Sequence, residues 1–237
     1  MESYRKTQVS HMTDSATTAS VSPGHAHRNG KMPDPEPATR YHHGALPDAL
    51  LSAARLILER DGVAALSLRA ITRAAGVSHT AAVPHFGDLA GLLAELAATG
   101  MDELRAALVA ADGTSRLIAE AYVFYAMDHA HMFELMFRSD LIDRNRPRYR
   151  EAASALFAIL AEPSHSSATV AQEEDKVKDG IYDMPDAARY TAAWGLVHGL
   201  AVLATDGRLD PLRSRLKDPV SRKELVRQAI LSVPPLL

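Results

Sequence analysis

No cysteine occurs anywhere in the 237 residues, and that absence closes several routes at once. Without thiols there is no disulfide scaffold, no thiolate metal site and no cysteine nucleophile, and the composition suits a reducing cytoplasm. Long apolar runs are missing too, so no segment reads as a membrane span. Arg5 and Lys6 are followed by no apolar stretch of the kind a secretory signal needs. The patterns that announce catalysis are equally missing: no G-x-S-x-G elbow, no phosphate-binding loop, no H-E-x-x-H and no dinucleotide fingerprint. His129 and His131, beside Asp128 and Glu134, come nearest to a metal cluster, but histidines two apart on one helix point their rings apart. The expectation is a chain that is not an enzyme and holds neither metal nor cofactor.

Strand-like alternation and internal repeats are also lacking; what is present is helical periodicity. Residues 1–40 are dominated by Ser, Thr, Pro, Gly and His, with Pro33, Pro35 and Pro37 alternating with other residues. Such a segment buries too little surface to offset its ordering entropy and reads as a disordered tail. From Leu46 the pattern changes. Pro47 fits a first helical turn, Leu50, Leu51, Ala54, Ile57 and Leu58 recur at helical spacing, and Gly62 ends the run. Ser67 is placed to cap a second short helix, Gly76 to stop it and Ser78 to cap a third. A long fourth helix is expected over about 88–110 from its leucines. Further helices are expected near 115–130, 130–139, 147–161, 168–180, 186–206 and 218–232. Loops are expected near Pro163 to Ser167 and Tyr182 to Pro185. The fold class is therefore all-α.

Charge is uneven along this pattern. The net charge of −3 conceals a mildly basic stretch, 40–87, in which five arginines face three acidic residues, with His42, His43, His79 and His85 beside them. Residues 88–110 are acidic, with four carboxylates against Arg105. A small phosphate-facing surface is compatible with the first stretch.

The most informative block is Ser67-Leu-Arg-Ala-Ile-Thr-Arg-Ala-Ala-Gly-Val-Ser78, running on to Phe86. A helix-turn-helix needs small residues where its helices cross, a glycine able to take positive φ in the turn, and an apolar residue after it. Ala74, Ala75, Gly76 and Val77 supply these in order. The stretch from Tyr41-His-His-Gly to Leu93 resembles the DNA-binding region of the TetR family, through Leu50 to Leu58, Gly62, Leu66-Ser-Leu-Arg-Ala-Ile, Ala74-Ala-Gly-Val-Ser, His85-Phe86 and Leu92-Leu93. The resemblance implies a three-helix helix-turn-helix domain (41–87), a helical bundle for effector binding and dimerisation (88–237), and a homodimer on a palindromic double-stranded DNA operator.

Candidate DNA contacts follow from where a recognition helix meets a duplex. Ser78, His79 and Thr80 can reach phosphates or base edges, Ala81 and Ala82 can meet a thymine methyl, and Ser67 and Arg69 suit a phosphate. Arg40 and Tyr41, with His42 and His43, form either an arm or a solvated linker. His85 and Phe86 are read as packing residues. Three positions depart from the family pattern: Val83 stands in place of a tyrosine, Leu89 in place of a basic residue, and Pro84 falls late in the recognition helix. Pro84 leaves two readings: a helix already unwinding at Val83, or a weakened reading head in a helical ligand- or protein-binding module.

In the second half, Met132, Phe133, Met136 and Phe137 form a stripe that is either ordinary core or the lining of a pocket for a partly apolar molecule. Helical spacing puts the two methionines on one face and the two phenylalanines on the next. Trp194-Gly-Leu-Val-His198-Gly199 resembles the signature of a TetR subfamily named for its Trp-His-Gly residues. Trp194 and His198 share a helix face, as core or as pocket groups. Gly195 and Gly199 allow close helix approach.

Overall fold

The computed structural model describes residues 45–111, 114–161 and 184–233. The expected tail, Arg40 and Tyr41, and the helix expected over 168–180 lie outside them. Among the described residues there are ten α-helices and no strand. Three make the head: α1 (Ala45–Asp61), α2 (Leu68–Ala74) and α3 (Val83–Phe86), with 3-10 turns at Val63–Ala65 and His79–Ala81 between them. The rest comprises α4 (Leu89–Ala110), α5 (Ser115–Asp128), α6 (Ala130–Phe137), α7 (Pro147–Ala161), α8 (Met184–Thr205), α9 (Asp210–Arg213) and α10 (Arg222–Leu231).

The head closes on the residues whose spacing announced it. Leu50, Ala54, Ile57 and Leu58 of α1 are buried with Ile71 of α2 and Phe86 of α3. At the end of α1, Gly62 takes φ 80°, ψ 178°, a region only glycine enters freely, and its N–H reaches back to the Leu58 carbonyl at 2.9 Å.

α4 is the axis of the molecule. Asp88 caps it by accepting from the Gly91 N–H at 2.9 Å. Its buried leucines (92, 93, 96, 104, 108) continue the head's core into the larger half, where α5, α6 and α7 pack on it. Gly100 sits in mid-helix, where glycine costs roughly 1 kcal/mol of helix propensity. The gain is room: a Cβ there would stand 2.7 Å from the Met132 sulfur and 2.8 Å from that of Met136. α6 is thereby seated on α4. α8 and α10 in turn pack on α5, the latter through Lys223–Asp128 (2.7 Å) and Arg227–Glu120 (3.1 Å), with both cations over the Phe124 ring.

Some boundaries move. Met184 and Pro185, expected in a loop, form the first turn of α8, where proline's missing N–H has no partner to lose. The last helix begins at Arg222, not near 218, because Ser221 caps it by accepting from the Glu224 N–H at 3.0 Å. Ser221 and Glu224 are the ends of a capping-box pattern legible in the sequence. The short α9 has no counterpart in the sequence reading.

Candidate DNA-reading surface and effector cluster

The helix-turn-helix forms by the local chemistry its residues dictate. Ser67 caps α2 by accepting from the Ala70 N–H at 3.2 Å. Buried Thr72 satisfies its hydroxyl on the Leu68 carbonyl at 2.9 Å. The exit of α2 is a Schellman turn: Gly76 stands at φ 69°, its N–H bonds the Arg73 carbonyl, and the Val77 N–H bonds the Thr72 carbonyl at 2.9 Å. That turn throws the chain outward at Ser78.

The recognition segment is not one helix. A 3-10 turn over His79–Ala81 leads into the one-turn α3, with Pro84 in its first turn. Pro84 therefore begins a helix instead of breaking one, and the bond its N–H would have made to the Thr80 carbonyl is not one the backbone needs. The helix expected to be unwinding at Val83 instead starts there, after the 3-10 turn. Ser78 does not cap this segment; its hydroxyl pairs with that of Thr80 at 3.2 Å.

Ser78, His79 and Thr80 are all exposed, as are Ser67 and Arg69, and Ala81 is half-buried. Ala82 is the exception. It is 1% exposed and packs in the head's core with Phe86, so it roots the segment and offers no methyl to a thymine. His85, read as a packing residue, is exposed, as is Val83. The i, i+4 pair Ala82–Phe86 could have shown this, since it turns 83 and 85 away from the core. Leu89, where the family often has a base, is half-buried against the core.

Among the described residues two polar side-chain contacts join α1 to the larger half. Arg55, raised in pKa chiefly by its hydrogen bond to Glu103, grips that carboxylate with both terminal nitrogens, one at 3.0 Å. Glu103 also accepts from the Tyr125 hydroxyl at 3.3 Å. His131 on α6 places Nδ1 3.3 Å from the Glu59 carbonyl near the end of α1, while the His129 ring lies 4.6 Å from that of Tyr125. The two histidines thus serve different neighbours. No group of three or more metal-ligating side chains occurs among the described residues.

The second site is an aromatic cluster centred on His198. Rings of Phe137, Phe133, Trp194 and Tyr122 lie 4.6, 5.4, 5.8 and 6.3 Å from its own. Phe157 extends the cluster, 6.3 Å from Trp194 and 4.6 Å from Tyr190. Phe133, Phe137, Trp194 and His198, singled out separately in the sequence, are brought together. Met132 and Met136 are not among them; they face the other way, onto Gly100. Tyr122 was missed because nothing local marks it: it sits 76 residues from His198, yet its hydroxyl meets His198 Nδ1 at 3.0 Å. Burial alone lowers the His198 pKa, and burial raises that of Tyr122, opposed by a hydrogen bond with Trp194. A neutral imidazole and the phenol can share that hydrogen bond with either as donor, the tautomer setting which. The site is therefore uncharged, aromatic and provided with a few polar handles.

An open apolar groove of 370 Å³ lies elsewhere, along the α8 face that carries Gly195, Gly199 and Leu203, with Ala119 of α5 and Ile230 of α10 opposite. A Cβ at either glycine would meet nothing within 4 Å, and Leu196, Val202 and Leu203 are exposed along the same helix.

Comparison with known proteins places these features. The model described as bacterial regulatory proteins, tetR family, matches residues 50–96, and that described as tetracyclin repressor-like, C-terminal domain, matches 115–227. No curated protein matches. A solved protein with unknown function from Rhodococcus sp. RHA1 is 30% identical over 82% of this chain and 96% of its own, with a TM-score of 0.59. The provisionally named regulatory protein SCO4313 is 19% identical over 80% and 97%, with a TM-score of 0.57. A provisionally named TetR-family transcription regulator from Shewanella sp. PV-4 is 20% identical over 78% and 94%, with a TM-score of 0.50. The last two speak to the fold alone. With its head and its helical half each matched, and a 30% identical relative covered almost end to end, the chain belongs to the TetR family of DNA-binding, ligand-responsive transcriptional regulators.

Proposed function

We propose that the protein acts in the cytoplasm as a homodimeric repressor, holding a palindromic operator until a small, uncharged, partly aromatic molecule binds. The observation that carries the reading half is the placement of Ser78, His79 and Thr80. Three consecutive polar side chains stand exposed while Ala82 and Phe86 anchor the same segment in the core. Hydroxyls and an imidazole at that position suit base edges and phosphates, Ala81 a thymine methyl, and Ser67 with Arg69 a phosphate at the start of α2. Arg40 and Tyr41 would form the arm, and exposed Val83 and His85 would extend the contact. Among the described residues no helix is long and apolar enough to cross a membrane.

The dimer reading rests on the groove. α8 carries aromatic contacts at 190, 194 and 198 and exposed apolar side chains at 196 and 203. A helix apolar on more than one side needs partners on each, and a second copy supplies the missing one. Two-fold symmetry would then set the two heads about one helical turn of DNA apart, roughly 34–36 Å, or a multiple of it. An effector at the His198 cluster that favours another spacing would release the operator by shifting that population.

The experiment is selection from a random-sequence duplex library, then titration of the selected duplex at rising salt. The reading expects a two-fold symmetric consensus and an affinity falling with salt, by a log–log slope of about −0.9 per phosphate neutralised. No enrichment at low salt rejects it. Leu203→Asp should yield a monomer in sedimentation; a persisting dimer rejects this interface.

A further inference from the structure

The turn between α6 and α7 is tied to the first turn of α4 at one point and to the reading head at another. Asp143 shapes the turn, its carboxylate accepting the Asn145 N–H at 3.0 Å and its carbonyl the Arg146 N–H at 3.2 Å. The Asp143 N–H then reaches across to the Ala90 carbonyl at 3.2 Å. Arg146, immediately before Pro147 opens α7, sends a guanidinium nitrogen to the Phe86 carbonyl. Phe86 is the last residue of α3, so that carbonyl is one of the acceptors a helix leaves over at its end.

Gly91 makes this approach feasible. A Cβ on Gly91 would collide with the Arg146 guanidinium and with the Phe86 carbonyl, both occupying the space beside it. The backbone N–H of Gly91 is spoken for by Asp88, so what matters at this position is the missing side chain. Arg146 Nε is buried without a hydrogen-bond partner, so this side chain gives up some of its own solvation to reach the carbonyl.

From this geometry we infer that Arg146 is a positioning residue for DNA recognition. It fixes the angle at which the segment Ser78–Phe86 leaves α4, by holding the Phe86 carbonyl from the larger half of the molecule. Its effect is on selectivity and not on phosphate attraction, because its guanidinium points into the protein. The turn that carries it follows α6, whose Phe133 and Phe137 touch His198, so the same contact connects the effector cluster to the head through backbone and not through a chain of loose side chains. The inference rests on the DNA-reading proposal, and its test separates the two.

Arg146→Met keeps the apolar stem and removes the donors. Hydrogen exchange, which needs no DNA, should show the Phe86, Gly87, Gly91 and Leu92 amides exchanging faster by about tenfold, the loss of one charge-assisted hydrogen bond, with α8 amides unchanged. On the duplex selected by the wild-type chain, affinity should fall by a similar factor while affinity for a scrambled duplex and the salt slope stay constant. Arg146→Lys, which keeps one donor, should restore protection and selectivity together. Unchanged exchange at 86–92 in Arg146→Met overturns the inference even if no duplex is ever selected. So does an equal loss on both duplexes with a salt slope reduced by about 0.9, which would make Arg146 a phosphate contact. Selectivity restored in Arg146→Lys without protection would also overturn it.

Discussion

The head and the effector half put their chemistry in opposite places. In the head the polar groups proposed to meet a duplex are consecutive in sequence and exposed, on a small aliphatic core with one phenylalanine. In the larger half the groups gathered round His198 come from α5, α6 and α8, and are buried (Tyr122, Phe133) or half-buried (Phe137, Trp194). A duplex is met by a surface whose parts need only be presented; a small molecule is met by an interior that several helices must assemble. Substitutions should therefore separate the two: changes at the head's surface alter DNA binding without stability, and changes inside alter stability first.

The sharpest way to break that separation is Phe86→Ala, which sits at the root of the reading surface and in the core at once. It should cost about 3–5 kcal/mol in denaturant unfolding and abolish duplex binding; a loss of binding with stability intact would show that Phe86 is itself a reader. Gly100→Val, deep in the larger half, should cost about 1–3 kcal/mol by forcing α6 away from α4. Chemical denaturation checks it, and a neutral result would deny the close seat of Met132 and Met136. Tyr122→Phe should cost about 1 kcal/mol by leaving His198 Nδ1 without its hydrogen-bond partner, with the DNA salt slope unmoved. Arg69→Gln should leave unfolding within about 0.5 kcal/mol of wild type and reduce the salt slope by about one contact.

The smallest effect is the pH dependence of His198. Its folded pKa lies below the ordinary 6.5, so the unfolded chain binds the proton more readily. The contribution to stability is complete above 6.5 and is lost as pH falls from there towards the lowered folded value. His198→Gln should flatten the stability profile in that window, read by unfolding at a series of pH values.

Much of the head was legible because its signals are local. Ser67, Gly62 and Gly76 each dictate a turn or cap within five residues of themselves, and each does so in the fold. Pro84 was harder: a proline reads as damage only if the helix before it is continuous, and here the backbone divides into a 3-10 turn and a fresh helix. Ala82 looked like a reader because small exposed residues and small buried ones have the same side chain. In the larger half, periodicity separated the Met face from the Phe face of α6, but nothing along the chain could say which face meets α4. That depended on Gly100, thirty residues earlier, and the pairing of Tyr122 with His198 depended on how α5 and α8 cross.

DNA recognition as proposed depends most directly on Ser78, His79 and Thr80. The measurement is the ratio of affinities for the selected and the scrambled duplex, before and after replacing all three by alanine. Each lost base contact should remove about 1–3 kcal/mol of discrimination, so the ratio should collapse at least about tenfold with thermal unfolding unchanged. A ratio that survives the triple replacement would contradict the account.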